Sequence, residues 1–159
     1  MRRIEHFNWV RDIPYRCPLS SEESDYSCFG KHQVLEKLLK GVGLKVRPRV
    51  CDFSWSSLKL PRDVVNIPHQ DDIFHVYLEV ETNGGWHKID ASFDSNLAPR
   101  LPVMEWDGRS STGLCVPHGK IYSPKVSREI YVSDDEDFSL DRGFYETLNG
   151  WLEEVRSTA

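Results

Sequence analysis

At 159 residues, with 39% apolar and 28% charged residues, the chain has the composition of an ordinary globular protein, long enough to bury a core without staples. Its formal net charge of -5 excludes a general attraction to nucleic acid or to an anionic membrane, and the locally basic Arg2, Arg3 and Lys45 to Arg49 are expected to be solvated surface. No apolar run approaches the ~20 residues that cross a bilayer, and the opening MRRIEHFNWVRDIPYR has no apolar leader segment, so a cytoplasmic location is expected and residues 1–159 are read as one domain.

The four cysteines, Cys17, Cys28, Cys51 and Cys115, are irregularly spaced, a pattern that suits reduced thiols better than a disulfide framework. The first predicted element runs from about Cys28 to Lys40. Leu35, Leu38, Leu39 and Val42 recur at helical spacing, Gly41 and Gly43 supply a stop, and Ser24, Asp25 and Ser27 are residue types that cap helix N-termini. Counting seven back from Leu35 places Cys28 on the same inward stripe, at the helix start.

LKVRPRVCDF follows as a predicted strand, with Pro48 arguing for an edge position. Ser54 to Asp72 reads as a lid or structured excursion with one helical turn after Pro61. FHVYLEV and GWHKIDASF then flank Asn83-Gly84, the strongest hairpin signal in the chain, because a type I′ turn needs positive φ at both central residues. Asp94 to Pro124 is rich in Pro, Gly and Ser and suggests short strands with long connections. KVSREIYV is expected to form a further strand, SDDEDFSLD an acidic link that also caps a last helix, and Phe144, Leu148, Trp151, Leu152 and Val155 the apolar stripe of that helix.

The hairpin fixes a register. With a two-residue turn at Asn83-Gly84, Asp90 falls opposite Tyr77, which makes His75 and Asp90 diagonal neighbours on one face while Val76, Leu78, Val80, Ile89 and Ala91 occupy the other. A one-residue change in the loop would separate them. The sequence therefore supplies a thiol at a helix N-terminus, an imidazole on a strand and a carboxylate on the next strand able to orient it, the parts of a nucleophile, base and orienter set. Unpaired N–H groups at the helix start favour thiolate over thiol and are placed to stabilise an oxyanion.

These residues, set in YSCFGKHQVLEKLLKGVGLKVRPRV and HVYLEVETNGGWHKIDASFD, resemble the transglutaminase-like superfamily within the papain-like cysteine-enzyme fold. The resemblance spans about Tyr26 to Asp94, with Leu44 to Arg49, His75 to Val80 and Trp86 to Ser92 matching the family's passages in order. Ser27 stands where that family commonly has Gly before the nucleophile, and Asp90-Ala91-Ser92 replaces its Asp-Pro-Thr ending. The resemblance implies an α+β domain with a transglutaminase-like or papain-like core, in which an N-terminal helix carrying Cys28 packs on an antiparallel sheet. It also implies cysteine-dependent acyl transfer or hydrolysis at amide bonds of peptides or proteins, through Cys28, His75 and Asp90 and a thioester, with no metal or other cofactor.

Trp9, Tyr26, Trp55 and Tyr77 are candidates for substrate contact, Trp86 and Trp106 are further aromatics of a kind more often found in core or rim than in a cleft, and Trp9, Tyr15 and Tyr26 are the upstream candidates for an oxyanion-hole side chain. His32 is expected to be a partly buried helix histidine, Lys31 a surface charge, and Asp72 and Asp94 weaker substitutes for Asp90. No Cys-x-x-Cys pair, His-Glu-x-x-His helix, phosphate loop or dinucleotide fingerprint occurs, so metal and nucleotide readings have no spacing to support them. Two alternatives remain: a catalytically silent peptide- or protein-binding module on the same fold, and an arylamine N-acetyltransferase-like enzyme, whose Arg-Gly-Gly is here Asp25-Tyr26-Ser27.

Overall fold

Leu35 and Leu39, one turn apart on the helix that their period predicts, are fully buried, and that burial, worth about 1.5–3 kcal/mol for each side chain, decides where the helix lies. The computed structural model of the chain describes residues 2–133 and 141–159. Helix α1 spans Arg2–Arg11, α2 Cys28–Gly41, and strand β1 Val46–Ser54; α3 (Arg62–Val65), β2 (Asp72–Thr82), β3 (Gly85–Ile89), α4 (Pro124–Tyr131) and α5 (Arg142–Ser157) follow. Short 3-10 turns occupy Trp55–Ser57 and Ser95–Leu97. The protein is thus of the α+β class, with five helices and a three-stranded antiparallel sheet among the described residues. No helix among them is long and apolar enough to cross a membrane.

The sheet order is β1-β2-β3. Asn83 and Gly84 take φ of 49° and 77°, as a type I′ turn requires, and Leu78 pairs with Ile89, so the register set by the two-residue turn holds. β1 is an edge strand, where Pro48 leaves no ladder bond unmade on the paired side. Lys120 to Tyr122 cover part of its outer edge, with Asp52 donating its N–H to the Lys120 carbonyl at 2.8 Å.

Leu35 and Leu39 pack with Phe7, Val46, Leu78, Val80 and Ile89, which places α2 and α1 on one face of the sheet. α2 ends as its glycines foretell: Gly43 adopts φ 88° and the Leu44 N–H returns to the Leu39 carbonyl at 3.1 Å. A second apolar cluster joins Val50, Phe53, Trp55, Phe93, Leu97, Phe144, Leu148 and Leu152, so α5 closes the other part of the core with its predicted stripe, Trp151 being only partly buried.

Several expectations are corrected. Residues 125–132 do not form a strand. Ser123 caps α4 by accepting the Val126 N–H, Pro124 sits in the first turn where its missing N–H costs nothing, and Ser127 and Tyr131, four apart, are the buried pair. The N-terminal segment forms α1, which buries only Phe7, Val10 and Arg11 and so carries little periodic signal. Asp94 to Pro124 contains no strand beyond a single bridge at Ile121, paired with Cys51. Asp141 precedes α5 but caps nothing with its side chain, which accepts the Gln70 N–H instead; the rest of the acidic link, residues 134–140, lies outside the described residues. Within the basic run Lys45 is exposed as expected, but Arg47 and Arg49 are half-buried and converge on the buried carboxylate of Glu79 at 2.8 and 2.9 Å.

Candidate active site

Cys28 is the first residue of α2, preceded by Ser27 in an extended conformation. The Ser27 side chain does not cap the helix as its type suggests. Its Oγ and backbone N–H both donate to Asp25 Oδ1, at 2.5 and 2.8 Å, so the first helical N–H groups beside Cys28 receive no side-chain cap from Ser27. Such groups and the dipole they represent suit a developing negative charge. Close approach of the preceding loop is what Gly30 permits: a Cβ there would stand 1.7 Å from the Asp25 carbonyl oxygen.

His75 and Asp90 meet as the hairpin register requires, His75 Nε2 lying 2.8 Å from Asp90 Oδ2. Both are buried. The same Oδ2 accepts the Cys115 N–H at 2.8 Å, while Oδ1 accepts the Ser92 hydroxyl at 2.5 Å and the Ser92 N–H at 3.1 Å. Burial alone would push the Asp90 pKa up, but the charge and hydrogen bond of His75, with His32 and the Cys115 N–H, hold it far below the usual carboxylate range. For His75, burial favours the neutral ring, yet Asp90 and then Cys28 outweigh it and push the pKa up to about 10. With Nε2 given to Asp90, Nδ1 is the nitrogen left for the Cys28 side. Cys28 and His75 share a small recess with Tyr15, Phe53, Trp55 and Ile73.

Two neighbours of Cys28 on α2 fix it to that carboxylate. His32, expected to be partly buried, is fully buried; its Nδ1 contacts the Cys28 carbonyl at 2.8 Å and its Nε2 accepts the Ala91 N–H at 3.0 Å. Nδ1 is therefore the protonated nitrogen. Burial pushes its pKa down to about 4 despite the pull of Asp90. Lys31, expected at the surface, is also fully buried: its ammonium donates to the carbonyls of Arg11, Ile13 and Ser92 at 2.8, 2.8 and 2.6 Å. Burial pushes the Lys31 pKa down to about 8, with Asp94 the leading opposing charge. The two side chains tie the start of α2 to the end of α1 and to Asp90-Ala91-Ser92.

A cleft of about 1380 Å³ opens over Cys28, walled by Tyr15, Phe29, Phe53, Trp55, Phe74 and Tyr145 among others. Of the predicted contact residues, Trp55 lines it. Trp9 stands 62% exposed on α1 and Tyr26 41% exposed beside Arg16, both outside the lining. Tyr77, two residues along β2 from His75, is fully buried and does not line the cleft. Trp106 packs on Phe7 in the α1 core, and Trp86 lies under the Arg47 guanidinium at 4.0 Å. Among the three upstream aromatics Tyr15 is the one beside Cys28, and burial with the nearby Cys17 and Cys28 pushes its pKa well up. Asp94, a substitute orienter on sequence grounds, is occupied by Arg156 at 2.9 Å, and Asp72 lies on the cleft wall away from His75's partner.

Burial, then Asp90, pushes Cys51 up to about 12 and Cys115 well up, so both are held as thiols, and no disulfide joins any of the four cysteines. No group of three or more His, Cys, Asp or Glu among the described residues is placed to share a metal ion. The sequence does not single out Ser92 and Cys115 as partners of the Asp90 carboxylate, or Thr112, whose Oγ1 accepts the Asp90 N–H at 3.1 Å. The i, i+2 spacing of Asp90 and Ser92 is a signal for the first; nothing in the spacing signals the other two. Comparison with protein-family models, with curated proteins and with solved structures finds no match.

Proposed function

We propose that this chain is a cysteine-dependent acyl-transfer enzyme acting on amide bonds of peptides or proteins, of the transglutaminase-like kind that its sequence resembles. The observation that carries this reading is the His75–Asp90 contact of 2.8 Å, with Cys28 lining the same small recess as that imidazole.

In the proposed reaction the Cys28 sulfur, its proton passed to His75, attacks the carbonyl carbon. N–H groups at the start of α2 donate to the oxygen as it becomes negative. His75 then gives its proton to the leaving nitrogen, the C–N bond breaks, and an acyl thioester remains on Cys28. A water molecule, deprotonated by His75, attacks the thioester and releases the acid; an amine in place of that water gives a new amide. Asp90 keeps the imidazole oriented through both halves and stabilises its charged form.

The competing reading is a peptide-binding module in which the thiol is idle, and the 7% exposure of Cys28 favours it. The two are separated by treating the folded protein with 4-nitrophenyl acetate and mapping the acetylated peptide. Acetylation at Cys28, lost in Cys28→Ala and slowed at least roughly a hundredfold in His75→Ala, supports the enzyme, that factor being the low end for a positioned acid or base. Labelling spread over Cys17, Cys51 and Cys115, or a rate unchanged in His75→Ala, overturns it.

A further inference from the structure

The walls of the Cys28 cleft carry carboxylates without cations. Glu23, Asp25, Asp52, Asp72 and Asp141 line it, and among the described residues no Lys or Arg does, His118 being the one imidazole on its wall. Glu23 is paired with Arg16 at 3.7 Å, but the other four have no ion-pair partner among the described residues. Asp25 accepts from Ser27, Asp52 from the Tyr122 hydroxyl at 2.7 Å and Asp141 from the Gln70 N–H, all neutral donors that leave the charge in place. A concave surface of one sign concentrates the field that a bound ion feels.

A second, independent feature points to a ligand in the same space. Trp55 is 4% exposed, lines both the cleft and the recess that holds Cys28 and His75, and its Nε1 has no hydrogen-bond partner among the described residues. A buried indole N–H is ordinarily satisfied, and leaving one unpaired costs about 1–3 kcal/mol. A peptide carbonyl entering the cleft is an acceptor of the right kind, and a small turn of the indole, whose Nε1 is closed to solvent here, would bring the two together. The ring itself packs edge-on against Phe53 at 5.1 Å and near Tyr145 at 6.4 Å, an aromatic wall that accommodates an aliphatic stem and attracts a cation at its end.

We propose that the cleft takes peptides bearing Lys or Arg side chains next to the amide that meets Cys28, the cations held by Asp52 and Asp72 and a backbone carbonyl by Trp55 Nε1. The position of the reacting bond rests on the acyl-transfer reading above; the charge preference does not. An acidic or neutral peptide gains nothing from these carboxylates and has to approach them unpaired.

The test is equilibrium binding to the full chain with Cys28→Ala, at low ionic strength, of two dansylated tripeptide amides: three lysines, and three Nε-acetyl-lysines of the same length without charge. The lysine peptide is expected to bind at least tenfold more tightly. Asp72→Asn and Asp52→Asn are each expected to remove about fivefold of that preference, the size of one charge pair near 4 Å in a water-like medium, while Asp72→Glu retains it. Trp55→Phe is expected to weaken both peptides alike by about fivefold, as loss of one hydrogen bond does. Equal binding of the two peptides overturns the proposal, and so does a preference untouched by Asp72→Asn, which would place the attraction elsewhere on an acidic protein. Should Asp52→Asn fail to fold, Asp72, exposed at the start of β2, decides the matter by itself. Acetylation of Cys28 by the small neutral ester tests the acyl-transfer reading separately, so either idea can fail without the other.

Discussion

His32 Nε2 stands 3.8 Å from Oδ1 of Asp90, and the imidazole is nonetheless neutral. The carboxylate has two histidines beside it and stabilises the charge of one. His75 makes the direct contact and is pushed up to about 10; His32 faces an Oδ1 already taken by Ser92, spends its own Nε2 lone pair on the Ala91 N–H, and is pushed down to about 4 by burial. Protonating His32 would break that bond and place a third cation beside those of His75 and Lys31. Two similar groups around one carboxylate are thus set to opposite states by their hydrogen bonds and burial.

The first consequence is an acid limb of stability that belongs to His32. Its folded pKa of about 4 lies below the ordinary 6.5, so its contribution is present above pH 6.5 and is lost as the pH falls from there towards about 4. The shift corresponds to about 3 kcal/mol. Asp12, held near 2, and Asp90 begin to lose stability only below the ordinary carboxylate value, so this window is separate. Urea unfolding across the window should show the decline in the wild type and a clearly flatter one in His32→Gln. Equal slopes would mean that another group titrates there.

Asp90→Asn removes the partner of a buried cation. Loss of one member of a buried pair costs about 3–5 kcal/mol, and the His75 pKa should drop from about 10 towards or below 6.5. The drop is to be read from the His75 ring protons by NMR, and the stability from denaturant midpoints. If His75 still titrates near 10 in this variant, its charge is held by something other than Asp90.

Lys31→Met exchanges a desolvated ammonium for an apolar chain of similar length but leaves the carbonyls of Arg11, Ile13 and Ser92 without their donor. At about 1–3 kcal/mol for each buried unsatisfied group, the net effect should be a loss of at least about 3 kcal/mol. Amide exchange should quicken at the end of α1 and around Ser92 before it does in β2. A neutral or stabilising outcome would show that the desolvation cost of the charge outweighs its three bonds.

Gly30→Ala drives a methyl group into the Asp25 carbonyl, which is backbone and has no side-chain freedom to yield. Destabilisation above about 3 kcal/mol is expected, with loss of Cys28 acetylation even where the fold survives, because the loop that must move holds Ser27. Gly41→Ala, with open space around its Cβ position, serves as the control and should be neutral or slightly stabilising.

The sequence by itself determined the local facts: α2 from its apolar period and glycine stop, the turn at Asn83-Gly84 from the residues that tolerate positive φ, and, through a period of two, the shared side of His75 and Asp90. Each is a matter of spacing within one element or one hairpin, which short-range sterics and alternation dictate. Tertiary structure decided the rest. Lys31 reads as surface because lysines usually are, and only the convergence of three distant carbonyls makes its burial tolerable. Residues 125–132 alternate well enough for a strand, yet the Ser123 cap and the i, i+4 burial of Ser127 and Tyr131 against the sheet settle them as a helix. Trp9, Tyr26 and Tyr77 are as aromatic as Trp55, and which of the four lines the cleft depends on how the layers stack over Cys28. The neutral state of His32 and the charged state of His75 are written in no motif, because burial and hydrogen bonding arise between elements that the chain brings together only once it has folded.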